Sequence, residues 1–229
     1  MRSYDDPCGV ARALAAVGER WSLLVVRELL LGPKRFAELG RGLPGMSPNV
    51  LSQRLRDLQA AGVLTHRDLG PPVSAGVYEL TEWGRQLEPV LLALGRWGAR
   101  APMRGTAPLG VDALMLALRT TYVPDGGAPA VVRLRLGVDA FTVATTGQDL
   151  RVTRGDVEAP DAGVDTDTAT LREVVFRRRA LADAVAAGAI VLTGDRDTAA
   201  RLLGSFRRPE PADAGPPEPG TARAGASAG

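Results

Sequence analysis

The chain has 229 residues, 45% apolar and 24% charged, which is enough for globular cores and predicts two domains at this length. No apolar run approaches the roughly 18 residues of a membrane span, and Asp5 and Asp6 replace the basic start of a secretory signal. We therefore expect a cytoplasmic protein with no membrane partner. One cysteine and one histidine exclude an internal disulfide and disfavour metal sites and catalytic triads, so we expect neither an enzyme nor a cofactor.

The formal net charge of +2 is distributed unevenly along the chain. Residues 20–67 carry eight basic and three acidic side chains, whereas residues 105–229 carry fourteen basic and sixteen acidic ones. A local basic surplus on a nearly neutral protein favours a polyanion as the partner of the N-terminal part.

The N-terminal part has the pattern of a winged helix, in which helices precede a two-stranded hairpin. Apolar spacing and Gly or Pro stops predict helices over residues 10–17, 20–31, 34–40 and 48–62 and strands over residues 63–67 and 77–81. The turn Asp68–Gly76 between the strands is rich in Gly and Pro.

The helix over residues 48–62 has two distinct faces. Ser47 is a good N-cap before Pro48, and Leu51, Leu55 and Leu58 form one stripe that must face a core. The opposite face presents amides and guanidinium groups, which pair with purine edges in the major groove. The predicted DNA-binding residues of this region are Lys34, Arg35, Ser47, Asn49, Ser52, Gln53, Arg56 and Arg67. The alternatives are an ordinary amphipathic surface helix and basic residues that are merely solvated.

A further helix begins at Thr81, and Pro89 predicts a kink or a restart within it. A small winged domain does not need such a long apolar helix at its end. We expect a homodimer that uses this helix together with residues 10–17, since palindromic DNA sites match two-fold proteins. The predicted dimerisation residues are Leu87, Val90, Leu91, Leu94 and Trp97.

A linker over residues 100–110 leads to a second unit, so the fold class is α+β, with an α/β C-terminal domain. Predicted helices cover residues 111–122, 168–177, 181–187 and 196–206, and predicted strands cover residues 132–136, 140–145, 149–154 and 189–192. Residues 208–229 are Pro, Gly and Ala without an apolar pattern, which predicts a disordered tail. The predicted domains are therefore residues 1–104 and 105–207, followed by that tail.

Several collinear segments over residues 7–98 resemble the HxlR-type winged-helix transcriptional regulators. They are Cys8-Gly-Val-Ala-Arg-Ala-Leu, Arg20-Trp-Ser-Leu-Leu-Val-Val-Arg-Glu-Leu, Gly32-Pro-Lys-Arg-Phe-Ala-Glu-Leu, Ser47-Pro-Asn-Val-Leu-Ser-Gln-Arg-Leu-Arg-Asp-Leu, Ala61-Gly-Val-Leu and Tyr78-Glu-Leu-Thr-Glu-Trp-Gly-Arg. The resemblance implies a dimer that binds double-stranded operator DNA and represses neighbouring genes. It also implies that Cys8 can act as a thiol switch. The negative charges of Asp5 and Asp6 oppose formation of the Cys8 thiolate, whereas the N-terminus of the following helix favours it. The alternative is an inert thiol.

The second unit resembles a sterol-carrier-protein-type domain. The similar segments are Ala159-Pro-Asp-Ala, Val164-Asp-Thr-Asp and Ala187-Gly-Ala-Ile-Val-Leu-Thr-Gly-Asp. The resemblance implies an apolar tunnel, and we expect it to bind a hydrophobic small-molecule effector. The predicted lining residues are Leu114, Leu118, Phe141 and Val143. A packed dimer support without a cavity is the alternative.

Together these patterns predict a two-domain, sequence-specific DNA-binding transcriptional regulator, and in particular a repressor. Two alternatives remain open: a redox- or electrophile-sensing regulator that uses Cys8, and a lipid carrier whose winged helix serves only for association. An enzyme would need a nucleophile with its base or a metal cluster, and the sequence offers neither.

Overall fold

The computed structural model describes residues 5–70, 76–102 and 108–212. Most of the predicted wing turn, the centre of the predicted linker and most of the predicted tail, namely residues 71–75, 103–107 and 213–229, lie outside the described residues. No helix of the described part is long and apolar enough to cross a membrane.

The first six elements form the predicted winged helix. They are α1 (Gly9–Val17), α2 (Ser22–Leu29), α3 (Phe36–Gly42), α4 (Pro48–Ala60), β1 (Leu64–Asp68) and β2 (Gly76–Leu80). The two strands pair antiparallel, with Leu64 opposite Leu80. Buried Val25, Leu39 and Leu55 pack in one core beneath the helices, as their helical spacing predicts.

The helix that follows is divided, as Pro89 predicts. A short α5 (Glu82–Arg85) is capped by Thr81, whose hydroxyl accepts the Gly84 N–H at 3.0 Å. A separate α6 (Glu88–Gly98) then begins with Pro89 in its first turn. No intrahelical hydrogen bond needs the missing N–H at that position, so proline marks a helix start instead of a kink.

The second domain contains α7 (Val111–Thr121), β3 (Ala130–Leu136), β4 (Asp139–Thr145), β5 (Leu150–Arg154), β6 (Ala162–Thr166), α8 (Thr168–Val175), α9 (Leu181–Ala186), β7 (Val191–Gly194) and α10 (Arg196–Gly204). The sheet has the order β5-β4-β3-β6-β7, in which β3 and β6 run parallel and the other neighbours run antiparallel. Alternate residues of β3, such as Val132 and Leu134, are buried in a core shared with α7, α8 and α10. The helices thus cover one face of the sheet.

Two sequence predictions need correction in this domain. Strand β6 was not predicted, because Gly163 and Asp165 interrupt its apolar pattern; pairing with β3 on one side and β7 on the other stabilises it. Residues 208–212 were assigned to a disordered tail, but two of them are hydrogen-bonded to Arg100, which follows the end of α6. The Ala212 N–H donates to the Arg100 carbonyl oxygen at 3.0 Å, and Arg100 Nε donates to the Glu210 carbonyl oxygen at 3.2 Å.

Helices α6 and α7 join the two domains through a close contact. Gly95 faces Thr120, and a Cβ atom at Gly95 would lie 2.8 Å from Thr120 Cγ2. Arg119 of α7 also donates to the Glu88 carboxylate at the start of α6. The absence of a side chain at position 95 therefore permits the approach of the two helices.

Candidate nucleic-acid interface

Helix α4 has the build expected of a recognition helix. Ser47 Oγ accepts the Val50 N–H at 3.4 Å and Pro48 occupies the first helical position, as the sequence predicts. Leu51, Leu55 and Leu58 are fully buried, so the opposite face of the helix points away from the core.

That exposed face carries a chain of polar side chains. Arg56 Nη2 donates to Gln53 Oε1 at 2.8 Å, and Gln53 Nε2 donates to Asp57 Oδ1 at 2.8 Å. Asn49 is also exposed, whereas Ser52 is half-buried at the flank. The hydrogen bonds hold an amide and a guanidinium group side by side in solvent, where both can turn to base edges.

The β1–β2 hairpin carries Arg67 next to this helix in the fold. Its guanidinium donates to both carboxylate oxygens of Glu79, at 2.9 and 3.2 Å, and this hydrogen bond lowers the pKa of the Glu79 carboxyl group. Arg67 is exposed, whereas Glu79 is half-buried. Arg67 Nη1 takes no part in the two hydrogen bonds to Glu79, so it can donate to a phosphate oxygen.

The adjacent residues Lys34 and Arg35 differ sharply in environment. The Arg35 side chain is exposed, so its guanidinium group faces solvent. The Arg35 backbone N–H donates to Glu38 Oε2 at 2.6 Å. The Lys34 side chain is only 12% exposed, and its Nζ lies 2.8 Å from Glu28 Oε2 and 2.5 Å from Asp112 Oδ2. Arg35 can reach a phosphate, whereas the expectation of a phosphate contact for Lys34 does not fit this enclosed ammonium group.

Lys34 belongs to an ion-pair network that crosses from one domain to the other. On the N-terminal side Arg27 Nη2 lies 2.8 Å from Glu28 Oε1, and on the C-terminal side Arg154 Nη2 lies 2.7 Å from Asp112 Oδ1. Glu28 and Asp112 have side chains only 2% and 7% exposed. Buried carboxylates require such partners, which explains why these charges alternate in sign.

The predicted dimerisation stripe separates into two groups. Val90, Leu94 and Trp97 are exposed, Trp97 by 74%, and Val10 and Leu14 of α1 are exposed as well. Leu91 is only 5% exposed and packs in the core of its own domain, with Leu87 partly buried against it. The assignment of Leu91 and Leu87 to an intermolecular surface is thus corrected, because they stabilise the protomer.

The predicted effector-lining residues do not line a cavity. Leu114, Leu118, Phe141 and Val143 are all buried in the packed core of the second domain. A cavity of about 1030 Å³ lies instead between the domains, on the opposite side of α7. The sequence analysis missed its wall residues Leu116, Ala117 and Thr120. A usable signal existed, since α7 carries apolar residues on more than one face.

Cys8 is the residue that precedes the first turn of α1, and it is exposed. The backbone N–H groups of Val10 and Ala11 point to its sulfur and lower the pKa of the thiol. Asp6 Oδ1 accepts the Cys8 N–H at 2.8 Å. Of the two opposing influences predicted for Cys8, the helix start is the larger in this arrangement.

The family model described as HxlR-like helix-turn-helix matches residues 16–105, from the end of α1 past α6. The uncharacterized HTH-type transcriptional regulator sll1512 of Synechocystis is 38% identical over 93 residues, which are 40% of this chain and 68% of that protein.

Two further relatives match over a similar length. The uncharacterized HTH-type regulator YybR of Bacillus subtilis is 37% identical over 41% of this chain and 74% of its own length. The uncharacterized HTH-type regulator Rv3095 of Mycobacterium tuberculosis is 42% identical over 39% of this chain and 56% of its own length. These similarities involve less than half of the chain, and the family model ends before α7.

Proposed function

The chain belongs to the HxlR-like helix-turn-helix family of transcriptional regulators, and we propose that it represses genes by binding operator DNA as a homodimer in the cytoplasm. In this proposal α4 enters the major groove. Gln53, Arg56 and Asn49 contact base edges, while Arg35 and Arg67 contact phosphates and fix the register.

The exposed polar face of α4 is the observation that carries this proposal. Three buried leucines fix the rotation of the helix, so Gln53 and Arg56 must point outward. An amide joined to a guanidinium group by a 2.8 Å hydrogen bond is a pair suited to adenine and guanine edges.

Fluorescence anisotropy tests the readout with two labelled duplexes, one from the DNA that flanks the protein's own gene and one of random sequence. Gln53→Ala or Arg56→Ala should cost about 1–3 kcal/mol on the specific duplex and leave the random duplex nearly unaffected. Gln148→Ala, the same change at an exposed position of the second domain, is the matched control. Equal losses on both duplexes would refute the assignment of α4 as the recognition helix.

The exposed apolar residues of α1 and α6 support the homodimer. Val10, Leu14, Val90, Leu94 and Trp97 leave apolar surface in solvent on two helices of the winged domain. Association of two copies would bury this surface and set two α4 helices at the spacing of two half-sites. Repression, as distinct from activation, is tested by a reporter gene placed behind the bound duplex.

The second domain has a sterol-carrier-like fold in this proposal. Its mixed five-stranded sheet with helices over one face supports that interpretation. Its role is to respond to a small molecule and adjust DNA affinity, and not to carry lipid.

A thiol switch at Cys8 is a second candidate, favoured by its exposure and its lowered pKa. Cys8 precedes the helix that carries Val10 and Leu14, so oxidation there would act at the proposed dimer surface. Operator binding should then respond to an oxidant in the native chain and not in Cys8→Ser. Identical responses of the two proteins would exclude this candidate.

A further inference from the structure

The cavity between the domains has apolar walls contributed by both of them. Leu24 of α2 and Leu91 of α6 lie on the side of the winged domain, and Leu116 and Ala117 of α7 lie on the other. Its volume of about 1030 Å³ reaches the upper end of the roughly 300–1,000 Å³ typical of small-molecule sites. Such walls can bury the apolar body of a ligand of that size.

The charged side chains that line the cavity are mostly cationic. The four basic ones are Arg27, Arg100, Arg172 and Arg208. Glu210 is the acidic lining residue of the described part of the chain. Arg27 is already paired with Glu28 at 2.8 Å, but Arg172 and Arg208 have no salt-bridge partner within residues 5–70, 76–102 and 108–212.

Arg172 and Arg208 also lie close to other cations. The Arg208 guanidinium group is 4.8 Å from the centre of the Phe176 ring, which itself lines the cavity. Arg208 is exposed at the rim of the cavity, where desolvation and the charges of Arg178 and Arg172 lower its pKa. Like charges held together next to an apolar wall are stabilised by an anion, which neutralises them and accepts their hydrogen bonds.

We propose that this cavity binds an amphipathic organic carboxylate, with the carboxylate on Arg172 and Arg208 and the apolar body against the walls that α2, α6 and α7 contribute. The proposal names the ligand class for the effector response above and rests on that proposed function. It moves the site from the interior of the second domain to the junction between the domains.

The position of the cavity also gives the ligand a route to the DNA-binding helix. Helix α2 packs against α4 on one side and against α7 on the other. A ligand between α7 and the α2–α6 wall therefore favours one spacing of the two domains. It changes operator affinity only if that spacing differs between the DNA-bound and the free state.

Calorimetric titration of the full chain tests the site with dodecanoate, dodecanol and dodecyltrimethylammonium, which share one apolar body and differ in head-group charge. We expect dodecanoate to bind at least tenfold more tightly than dodecanol, and the cation to bind most weakly. The double variant Arg172→Gln/Arg208→Gln should lose at least tenfold in dodecanoate affinity. Arg196→Gln, which removes an exposed charge at the start of α10, should have no effect.

Ala117→Phe places an aromatic ring in the apolar part of the cavity while leaving every charge in place, and it should weaken dodecanoate binding at least tenfold with an unchanged circular dichroism spectrum. Equal affinity for the three head groups would overturn recognition of an anion. No dodecanoate binding by the native chain would overturn the site. If Ala117→Phe dissociates the dimer and the native chain binds no dodecanoate, the cavity is occupied by a second copy of the chain. That result would also overturn the proposal.

Operator binding without ligand is measured on the same samples. Intact operator binding with no dodecanoate binding refutes the ligand site alone. Lost operator binding with intact dodecanoate binding refutes the proposed function and keeps the site. The two failures are therefore distinguishable.

Discussion

Replacement of Lys34 by methionine separates a structural role from a DNA-binding role at the start of α3. Methionine keeps the length and apolar stem of the side chain and removes the ammonium group that bridges Glu28 and Asp112. Arg35→Met is the matched change at the next residue, where the side chain is exposed.

The expected size of the effect follows from the partners that remain. Removal of one member of a buried ion pair costs about 3–5 kcal/mol, because a charge is left buried without compensation. Glu28 keeps Arg27 and Asp112 keeps Arg154, so we expect the lower end, about 3 kcal/mol. For a chain of this size that corresponds to a fall in Tm of about 6–12 °C.

Urea unfolding and duplex binding at several salt concentrations are measured for both variants. Lys34→Met should lower the free energy of unfolding and leave the salt dependence of random-duplex binding unchanged. Arg35→Met should alter stability by less than about 0.5 kcal/mol and reduce the salt slope by about one per protomer. The reasoning fails if Lys34→Met unfolds like the native chain and weakens binding to every duplex.

The remaining predictions concern association and pH. Trp97→Glu should give folded monomers in sedimentation, whereas Leu91→Glu should destabilise the protomer because it buries an unpaired charge; unchanged dimers for Trp97→Glu would place the interface elsewhere. Asp167 caps α8, and hydrogen bonds from Thr170 and Ala169 lower its carboxyl pKa. Its stabilisation is present above the unfolded pKa of about 3.9 and is lost as pH falls through the lower folded value. Asp167→Asn should therefore flatten the acid limb of the stability profile, and an unaltered limb would contradict this.

Local signals in the sequence were sufficient for the winged domain. Periodicity placed the leucines of α4 inside, and the Ser47-Pro48 start fixed where that helix begins. Pro89 correctly marked the division between α5 and α6. These features depend on residues within one or two turns, which is the range over which sequence patterns are informative.

Contacts between distant segments could not be predicted in the same way. Lys34 and Asp112 are 78 residues apart, and no periodic pattern distinguishes a lysine that binds a buried carboxylate from one that faces solvent. Leu114 and Ala117 likewise lie on one helix, yet the first fills a core and the second lines a cavity. The packing of α6 against α7 determines which face of α7 fills a core and which face lines the cavity.

Lys34 connects the two domains through both its backbone and its side chain. Its backbone exchanges two hydrogen bonds with Tyr78 of β2, at 3.0 and 2.8 Å, so it holds the hairpin against the start of α3. Its side chain meanwhile reaches Asp112 at the start of α7, on the helix that walls the interdomain cavity. A shift of α7 relative to α2 would therefore act on this residue directly. Lys34 thus joins α7 to the β1–β2 hairpin through its side chain and its own backbone.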